Sequence, residues 1–317
     1  MASNKRESEV LGTIFNFDFC KKQKREKFNP IEEWKAYHEY IVIPKTISVP
    51  ESQLNSEQSE ILNLVKRQCE LSDSEFYKSP LRLIITGAAG TGKSVVLQHI
   101  LHFLEEESKK REDFEFWAVA PTAVAAKTVG GRTIHSQFGI TKYTGDLIEA
   151  CKKMEKVKMT PNNVRFLIID EVYMAGRRSI IYMDNYFRRC EGLKCNESFG
   201  GISVILSGDP WQLRPVKDSA IFEPPKVISD RYIKNIFRVY QEIKTVRILT
   251  IPNRQAEPDQ DEFRQLLQRV CRREATPSDV KLLNTRRFHM LSTAEQQRFE
   301  EAVHIFPTNT GVLNRNL

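Results

Sequence analysis

A glycine-rich segment, GAAGTGKS, has the residue types and the spacing of a loop that binds phosphate groups. In such a loop the backbone N–H groups and the start of the next helix bind the phosphates. We expect the Lys93 ammonium to contact the β- and γ-phosphates and the Ser94 hydroxyl to be a ligand of Mg²⁺. The predicted phosphate-binding residues are Gly87, Ala88, Ala89, Gly90, Thr91, Gly92, Lys93 and Ser94.

Two adjacent carboxylates, Asp170 and Glu171, follow the apolar run FLII. Asp170 is expected to hold Mg²⁺ directly or through a water, and Glu171 to orient and deprotonate the attacking water. An acidic pair after a strand can instead cap the next helix. Together with the phosphate loop, the pair favours hydrolysis of a nucleoside triphosphate.

Three other polar residues are candidates for the same site. Gln212, in SGDPWQLRPV, is either a sensor of the γ-phosphate or an ordinary turn residue. Arg254, in LTIPNRQ, is either an arginine that neutralises charge in the transition state or a surface residue. Gln58, in LNSEQ, has an amide that could bind the adenine edge. The base-reading pattern NKxD of GTPases does not occur, which favours ATP.

The elements that would position these residues alternate between strand and helix. Short apolar runs predict strands, and a helix is expected from about Lys93 to Glu107. Such alternation predicts an α/β fold with a parallel sheet covered by helices on both faces. The predicted strands are Leu81–Thr86, Phe116–Ala120, Phe166–Asp170 and Ser203–Gly208, and Ser56 is the predicted cap of an earlier helix.

A second, shorter unit is predicted to begin near Val246 with the strand VRILTI. An amphipathic helix follows, and TPSDVKLL has Thr276 as a helix cap, Pro277 at the first helical position and Asp279 three residues after the cap. The run Ala302–Phe306 predicts another strand. We therefore expect a charged extension over 1–50, a first domain over 51–245 with an insertion at about 140–163, and an incomplete second domain over 246–317.

The composition is that of a basic protein with 317 residues, a net charge of +7 and a sequence pI near 9.0. This charge is compatible with a nucleic-acid partner but does not establish one. The basic run Lys21–Lys27 is either a solvated tail or a nuclear-import or DNA-binding arm. The six scattered cysteines contain no CxxC pair, which favours a reduced intracellular compartment. No apolar run reaches the ~20 residues of a membrane span, so we expect no membrane association.

Seven blocks of the sequence resemble, in order, the Pif-type (petite integration frequency) DNA helicases of superfamily one. These blocks are LNSEQ, GAAGTGKS, APTAVAAKTVGGRTIHSQFGI, IIDEVYM, SGDPWQLRPV, LTIPNRQ and IFPTNTGVLN. Related helicase domains occur in Helitron transposons. The resemblance extends from about Leu54 to Asn314, and the PTAVAA to TIHS block is its most specific part.

The resemblance implies a RecA-like ATP-binding domain followed by an incomplete second RecA-like domain. It implies 5′-to-3′ movement on single-stranded DNA, unwinding at duplex junctions, and ATP and Mg²⁺ as ligands. By motif position, Gln58 would bind adenine, Gln212 would sense the γ-phosphate and Arg254 would be the arginine finger. The residues that would line the DNA track are Pro121, Thr122, Thr133, His135 and Ser136. Ala123, Tyr173, Arg214 and Asn253 depart from the usual family residues.

The family's later blocks, H..QG and an ALSR-like block, do not occur in these 317 residues. Two readings therefore remain open: a helicase, or an ATP- and DNA-binding module that does not unwind. An unrelated P-loop ATPase is the third and weakest. The basic run favours the nucleus, and the resemblance also allows the mitochondrion and implies roles in DNA repair, recombination and telomere maintenance. A monomer is the default expectation.

Overall fold

The computed structural model describes most of the chain from Ile47 onward. The described residues are 47, 49–140, 146–154, 163–190, 193–224, 237, 239–241, 243–253, 260–299, 302–306 and 308–316. The predicted extension up to residue 46, the basic run within it and Arg254 lie outside this set. Parts of the predicted insertion, 141–145 and 155–162, lie outside it as well.

A six-stranded sheet organises the structure, and its strand order is β3-β2-β4-β5-β1-β6. Four neighbouring pairs, from β3 through β1, are parallel. All six residues of both β4 and β5 are buried, as expected for apolar strands covered on both faces. The strands are β1 (Arg82–Gly87), β2 (Glu115–Ala120), β3 (Arg132–Thr133), β4 (Val164–Ile169), β5 (Ser203–Gly208) and β6 (Thr245–Leu249). The predicted α/β fold with a parallel sheet is thus confirmed.

By compactness the chain divides into a sheet unit, residues 1–86 and 93–248, and a helical unit, residues 87–92 and 249–317. The helices of the sheet unit are α1 (Ser56–Glu70), α2 (Asp73–Lys78), α3 (Lys93–Lys110), α4 (Ala123–Thr128), α5 (Ile134–Gln137), α6 (Leu147–Met154) and α7 (Arg177–Arg188). No helix in the described part of the chain has the length and apolar character needed to cross a membrane.

The core of the sheet unit is built from β-branched and aromatic side chains of the strands and the helices that cover them. Leu167 and Ile169 on β4 and Val119 on β2 are fully buried. Trp117 packs against Phe138, with ring centroids 5.7 Å apart. This packing fixes where each strand ends, and therefore where the polar residues that follow the strands are placed.

Helix α1 begins one residue earlier than the sequence suggested. Asn55, not Ser56, is the N-cap, and its side chain accepts a hydrogen bond from the Gln58 N–H at 2.9 Å. The Gln58 side chain in turn accepts from the Asn55 N–H at 3.1 Å. This reciprocal pair is a capping box, in which a Gln three residues after the cap is favoured.

The helical unit contains α8 (Asp261–Arg272), α9 (Pro277–Asn284), α10 (Thr293–Gln297) and α11 (Asn309–Asn316). The predicted capping box of α9 is confirmed: Thr276 accepts from the Asp279 N–H at 3.2 Å, and Asp279 accepts from the Thr276 N–H at 2.9 Å. Both Asp279 carboxylate oxygens also bind Arg269 of α8, which ties the two helices together.

Of the two strands predicted in the C-terminal part of the chain, one is confirmed and one is wrong. The strand predicted from Val246 is β6, which lies at the edge of the six-stranded sheet beside β1. The strand predicted over Ala302–Phe306 is absent, because these residues have no sheet structure, and Val303 and Ile305 are more than nine-tenths exposed. An apolar run becomes a strand only when a neighbouring strand pairs with its backbone groups, and none does so among the described residues.

Candidate nucleotide and nucleic-acid site

The predicted site residues of the sheet unit gather at one edge of the sheet. Because β1 to β5 are parallel, their carboxyl ends share an edge, which is where ligands bind in open α/β sheets. Asp170 follows β4, Asp209 follows β5, and Pro121 follows β2. Strand β1 ends at this edge too, with Thr86 in register with Gly208.

The phosphate-loop segment Gly87–Gly92 forms a turn that contains a hydrogen bond between its own residues. Gly87, Gly90 and Gly92 have φ values of +156°, +85° and +86°, and the last two lie in a region that favours glycine. The Thr91 hydroxyl donates to the Ala88 carbonyl at 2.9 Å. A Cβ atom added at Gly87 would lie 2.5 Å from the carbonyl oxygen of Leu249, so only glycine fits there.

Lys93, the first residue of α3, lies among three carboxylates. Partial burial lowers the pKa of its ammonium, while the charges of Asp209, Glu171 and Asp170 raise it, and burial has the larger effect. The three carboxylates would repel the phosphates of a nucleotide, so a partly buried ammonium in this position binds phosphate best when a cation compensates the carboxylates. The structure thus brings together Lys93, Asp170 and Glu171, as the sequence predicted.

Asp170 is buried, with 6% of its surface exposed, and burial raises the pKa of its carboxyl group. The nearby Ser207 hydroxyl, the Glu171 backbone N–H and the charge of Lys93 lower that pKa by smaller amounts. Ser207 is fully buried beside Asp170, although the two side chains do not reach the geometry of a normal hydrogen bond. Asp170 is therefore a carboxylate held out of water with its charge only partly compensated.

Glu171 has a backbone conformation that is rare for a residue with a side chain. Its φ and ψ are +49° and +40°, in the left-handed region, and it precedes the short 3₁₀ turn Val172–Met174. The pKa of its carboxyl group is raised, first by burial and second by the charge of Asp170. Such strain and such a raised pKa are features of catalytic groups.

Asp209 is a site residue that the sequence reasoning missed. It is buried, with 5% of its surface exposed, and its charge acts on both Lys93 and Glu171. Its carboxylate accepts a hydrogen bond from the Trp211 backbone N–H at 3.0 Å, and the Gln212 amide lies 3.5 Å from its other oxygen. The local signal was its position directly after the strand Ser203–Gly208, as Asp170 directly follows Val164–Ile169.

The five residues predicted to line a DNA track lie at the ends of the neighbouring strands β2 and β3. Ala120 pairs with Thr133, so Pro121 and Thr122 lie beside the start of α5. Thr122 and Thr133 cap α4 and α5, accepting from backbone N–H groups at 3.2 and 3.1 Å. His135 and Ser136 are exposed. Capping occupies both threonine side chains in this structure, which leaves His135 and Ser136 as the accessible polar groups of the set.

The roles of two further residues, Gln58 and Arg254, stay predictions. Gln58 is buried and its carbonyl oxygen serves the capping box of α1, so its expected contact with adenine stays a prediction. Arg254 lies outside the described residues, and its predicted role as an arginine finger is likewise untested.

The oxygen groups at this edge suit Mg²⁺. Within the described residues, no three His, Cys, Asp or Glu side chains converge as a complete metal site. Mg²⁺ in nucleotide sites is instead held by one or two protein oxygens together with water and phosphate oxygens. The buried and incompletely compensated Asp170 carboxylate fits that pattern, with the Ser94 hydroxyl as the predicted second ligand.

Comparison with known proteins gives a consistent result. The model of the PIF1-like helicase family matches residues 53–279. An ATP-dependent DNA helicase, RRM3 of Saccharomyces cerevisiae, is 28% identical over 239 residues, which are 68% of this chain and 31% of that protein. The ATP-dependent DNA helicase PIF1 of Xenopus laevis is 34% identical over 179 residues, 55% of this chain and 25% of that protein. The chain thus spans about a quarter to a third of the length of these relatives.

Solved structures share the fold. The crystal structure of Pif1 helicase from Candida albicans superposes with a TM-score of 0.57 and 22% identity, over 83% of this chain and 53% of that one. The structure of Bacteroides Pif1 bound to single-stranded DNA gives a TM-score of 0.51 and 22% identity, over 83% of this chain and 55% of that one.

Proposed function

Because the chain belongs to the PIF1-like helicase family, we propose that it is an ATP-dependent DNA helicase that moves 5′ to 3′ on single-stranded DNA and unwinds duplex junctions. The observation that carries the proposal is the cluster of Lys93, Asp170, Glu171 and Asp209 at the carboxyl edge of the sheet. This cluster has an ammonium for phosphate, a buried carboxylate for a metal and a second carboxylate with a raised pKa.

In the proposed reaction, residues Gly87–Ser94 bind the triphosphate of ATP. Lys93 binds the terminal phosphates, and Ser94 and Asp170 hold Mg²⁺, which neutralises charge on the phosphate oxygens when it is bound. Glu171 orients the attacking water and accepts its proton, a role helped by its raised pKa. Asp209 holds Gln212 near this group, where Gln212 senses the γ-phosphate. Arg254 completes the set as the arginine finger.

The proposed DNA track is the exposed surface after β2 and β3. Hydroxyl, imidazole and backbone groups there contact phosphate and sugar without reading base sequence. The solved neighbours support this substrate class, since one is Pif1 bound to single-stranded DNA and another concerns unwinding of forked double-stranded DNA by two Pif1 helicases. By the same resemblance we propose a nuclear or mitochondrial site of action in DNA repair, recombination and telomere maintenance.

Nucleotide binding and hydrolysis test the proposal directly. Binding of a fluorescent ATP analogue with Mg²⁺ and the ATPase rate with and without oligo(dT) are measured for the chain and two variants. Lys93→Ala should lose binding and hydrolysis, because it removes the ammonium that is proposed to bind the terminal phosphates. Lys109→Ala is the matched control, since Lys109 lies on the same helix α3 but is exposed and paired with Glu106 at 2.9 Å. Equal binding by both variants would refute the nucleotide site.

Strand separation distinguishes a motor from a binding module. A forked duplex with a 5′ single-stranded tail should be unwound with ATP, and the same duplex with only a 3′ tail should not. ATP and oligo(dT) binding without unwinding of either substrate would instead identify this chain as a binding module.

A further inference from the structure

Trp211 is an exposed aromatic residue on a loop at the functional edge of the sheet. Its exposed fraction is 66%, whereas Trp117 packs against Phe138, Tyr186 and Phe187. Large aromatic side chains gain much free energy from burial, so an indole left in water is a candidate for contact with a ligand. The question is which ligand fits.

The loop that carries Trp211 is held in place at both ends. At its start, the Trp211 N–H donates to Asp209 Oδ1 at 3.0 Å and the Gln212 N–H donates to the Asp209 carbonyl at 3.1 Å. Near its end, Arg214 pairs with Glu223 at 2.6 Å. A backbone fixed in this way presents the indole in a limited range of positions, which lowers the entropy lost when a ligand stacks on it.

The position of the loop favours a nucleic-acid base. It follows β5, and only β4 separates β5 from β2, where the predicted DNA residues begin. Neighbouring strands lie ~4.8 Å apart, so the ends of β2 and β5 are about 10 Å from each other. The exposed cation Lys217 lies in the same loop, and exposed Lys127 lies on α4 after β2. An aromatic platform between basic groups is the combination that binds single strands without base preference.

We propose that Trp211 is a stacking platform for a base of single-stranded DNA, which extends the track from the ends of β2 and β3 to the loop after β5. This inference rests on the proposed DNA-binding function. The proposal also connects the ATP site with the DNA track. The Asp209 carboxylate accepts the hydrogen bond from the Trp211 N–H, and its charge also acts on Lys93 and Glu171.

The test compares oligo(dT) with an abasic strand of equal length and charge, using the whole chain. Stacking on aromatic side chains contributes about 1–3 kcal/mol per base, so the chain should bind oligo(dT) about fivefold or more tightly than the abasic strand. Trp211→Ala should remove most of this preference, and Trp211→Phe should restore part of it. Tryptophan fluorescence of the chain should be quenched by oligo(dT), and the quenching should be lost in Trp211→Phe.

Phe288→Ala is the matched control, since Phe288 is 54% exposed but belongs to the helical unit. It should keep the preference for oligo(dT). If both strands bind and Trp211→Ala leaves the preference unchanged, the stacking proposal is wrong while the proposed function stands. If Trp211→Ala alters only self-association, measured by sedimentation, the loop is a protein contact and the proposal is again wrong. If neither strand binds although ATP does, the DNA-binding function itself fails.

Discussion

The sheet unit and the helical unit use their apolar side chains differently. Leu167 and Ile168 of β4 are fully buried, whereas Phe263 and Leu267 of α8 are 38% and 41% exposed. Both regions show regular apolar spacing in the sequence, and both form the predicted elements. The difference teaches that periodicity identifies the face of an element that can be buried, but does not specify what covers it.

A second difference is chemical. The carboxylates with raised pKa values, Asp170 and Glu171, lie in the sheet unit. In the helical unit the pKa of Asp279 is lowered, chiefly by its hydrogen bonds with Arg269. A raised pKa marks a carboxylate whose negative charge is not fully balanced by neighbouring groups after burial. A lowered pKa marks a carboxylate whose charged form stabilises the fold.

The largest expected effect tests the chemical contrast between the carboxylates of the two units. Glu171→Gln should keep ATP binding and lower the hydrolysis rate by about 10²–10⁴-fold, because a general base is lost. Glu262→Gln, in the exposed first turn of α8, should hydrolyse ATP at the original rate. Similar rates for the two variants would remove the chemical contrast between the units.

The contrast in burial predicts different costs for the same truncation. Leu167→Ala should lower the free energy of unfolding by about 2–5 kcal/mol, because it leaves a cavity in the core. Leu267→Ala should change it by less than about 1 kcal/mol, because the side chain is already partly in water. Chemical denaturation measures both values. A large loss for Leu267→Ala would show that α8 has a covered face in solution.

A smaller effect concerns the thermal stability of the protein, which the buried Asp170 carboxylate lowers at neutral pH. Burial raises its pKa, so its favourable contribution to stability exists below the ordinary pKa of 3.8 and is lost as the pH rises through the raised value. At pH 7 the charged form therefore destabilises the fold. Asp170→Asn should raise Tm by a few degrees, since ~1 kcal/mol corresponds to about 2–4 °C.

The same variant should no longer gain stability from ATP with Mg²⁺, which the original chain should do. A lower Tm for Asp170→Asn would mean that the carboxylate is well compensated within the fold.

The smallest expected effect lies in the helical unit and has the opposite pH dependence. Because the pKa of Asp279 is lowered, its contribution to stability is present above the ordinary pKa of 3.8 and is lost as the pH falls toward the lowered value. Arg269→Met should weaken the hydrogen-exchange protection of α8 and α9. As the pH falls, the variant should also lose this protection at a higher pH than the original chain does. Arg272→Met, on the same helix, should leave the profile unchanged.

Local patterns in the sequence predicted the parts of this protein whose structure is determined locally. The apolar runs of β4 and β5, the glycine-rich loop and the capping box of Thr276 and Asp279 all follow from neighbouring residues. The run Ala302–Phe306 failed because strand formation depends on a partner that the run itself does not contain. The residues of β6 predicted a strand, but their spacing did not reveal which sheet the strand joins, and it lies beside β1.

The candidate site shows the same limit. Lys93 and Asp170 were found because motifs identify them, and the parallel order of the strands places them together. Asp209 was missed because its role depends on the register of β5 beside β4, which brings the end of each strand to one edge. The expected contact of Gln58 with adenine did not take account of its use in capping α1.

The left-handed backbone of Glu171 implies a conflict between durability and activity. Glycine would adopt this conformation without strain and would also remove a half-buried negative charge from beside Asp170. Laboratory selection for heat resistance alone would therefore favour loss of the side chain at this position, and the selected proteins would lack the carboxylate proposed to activate water.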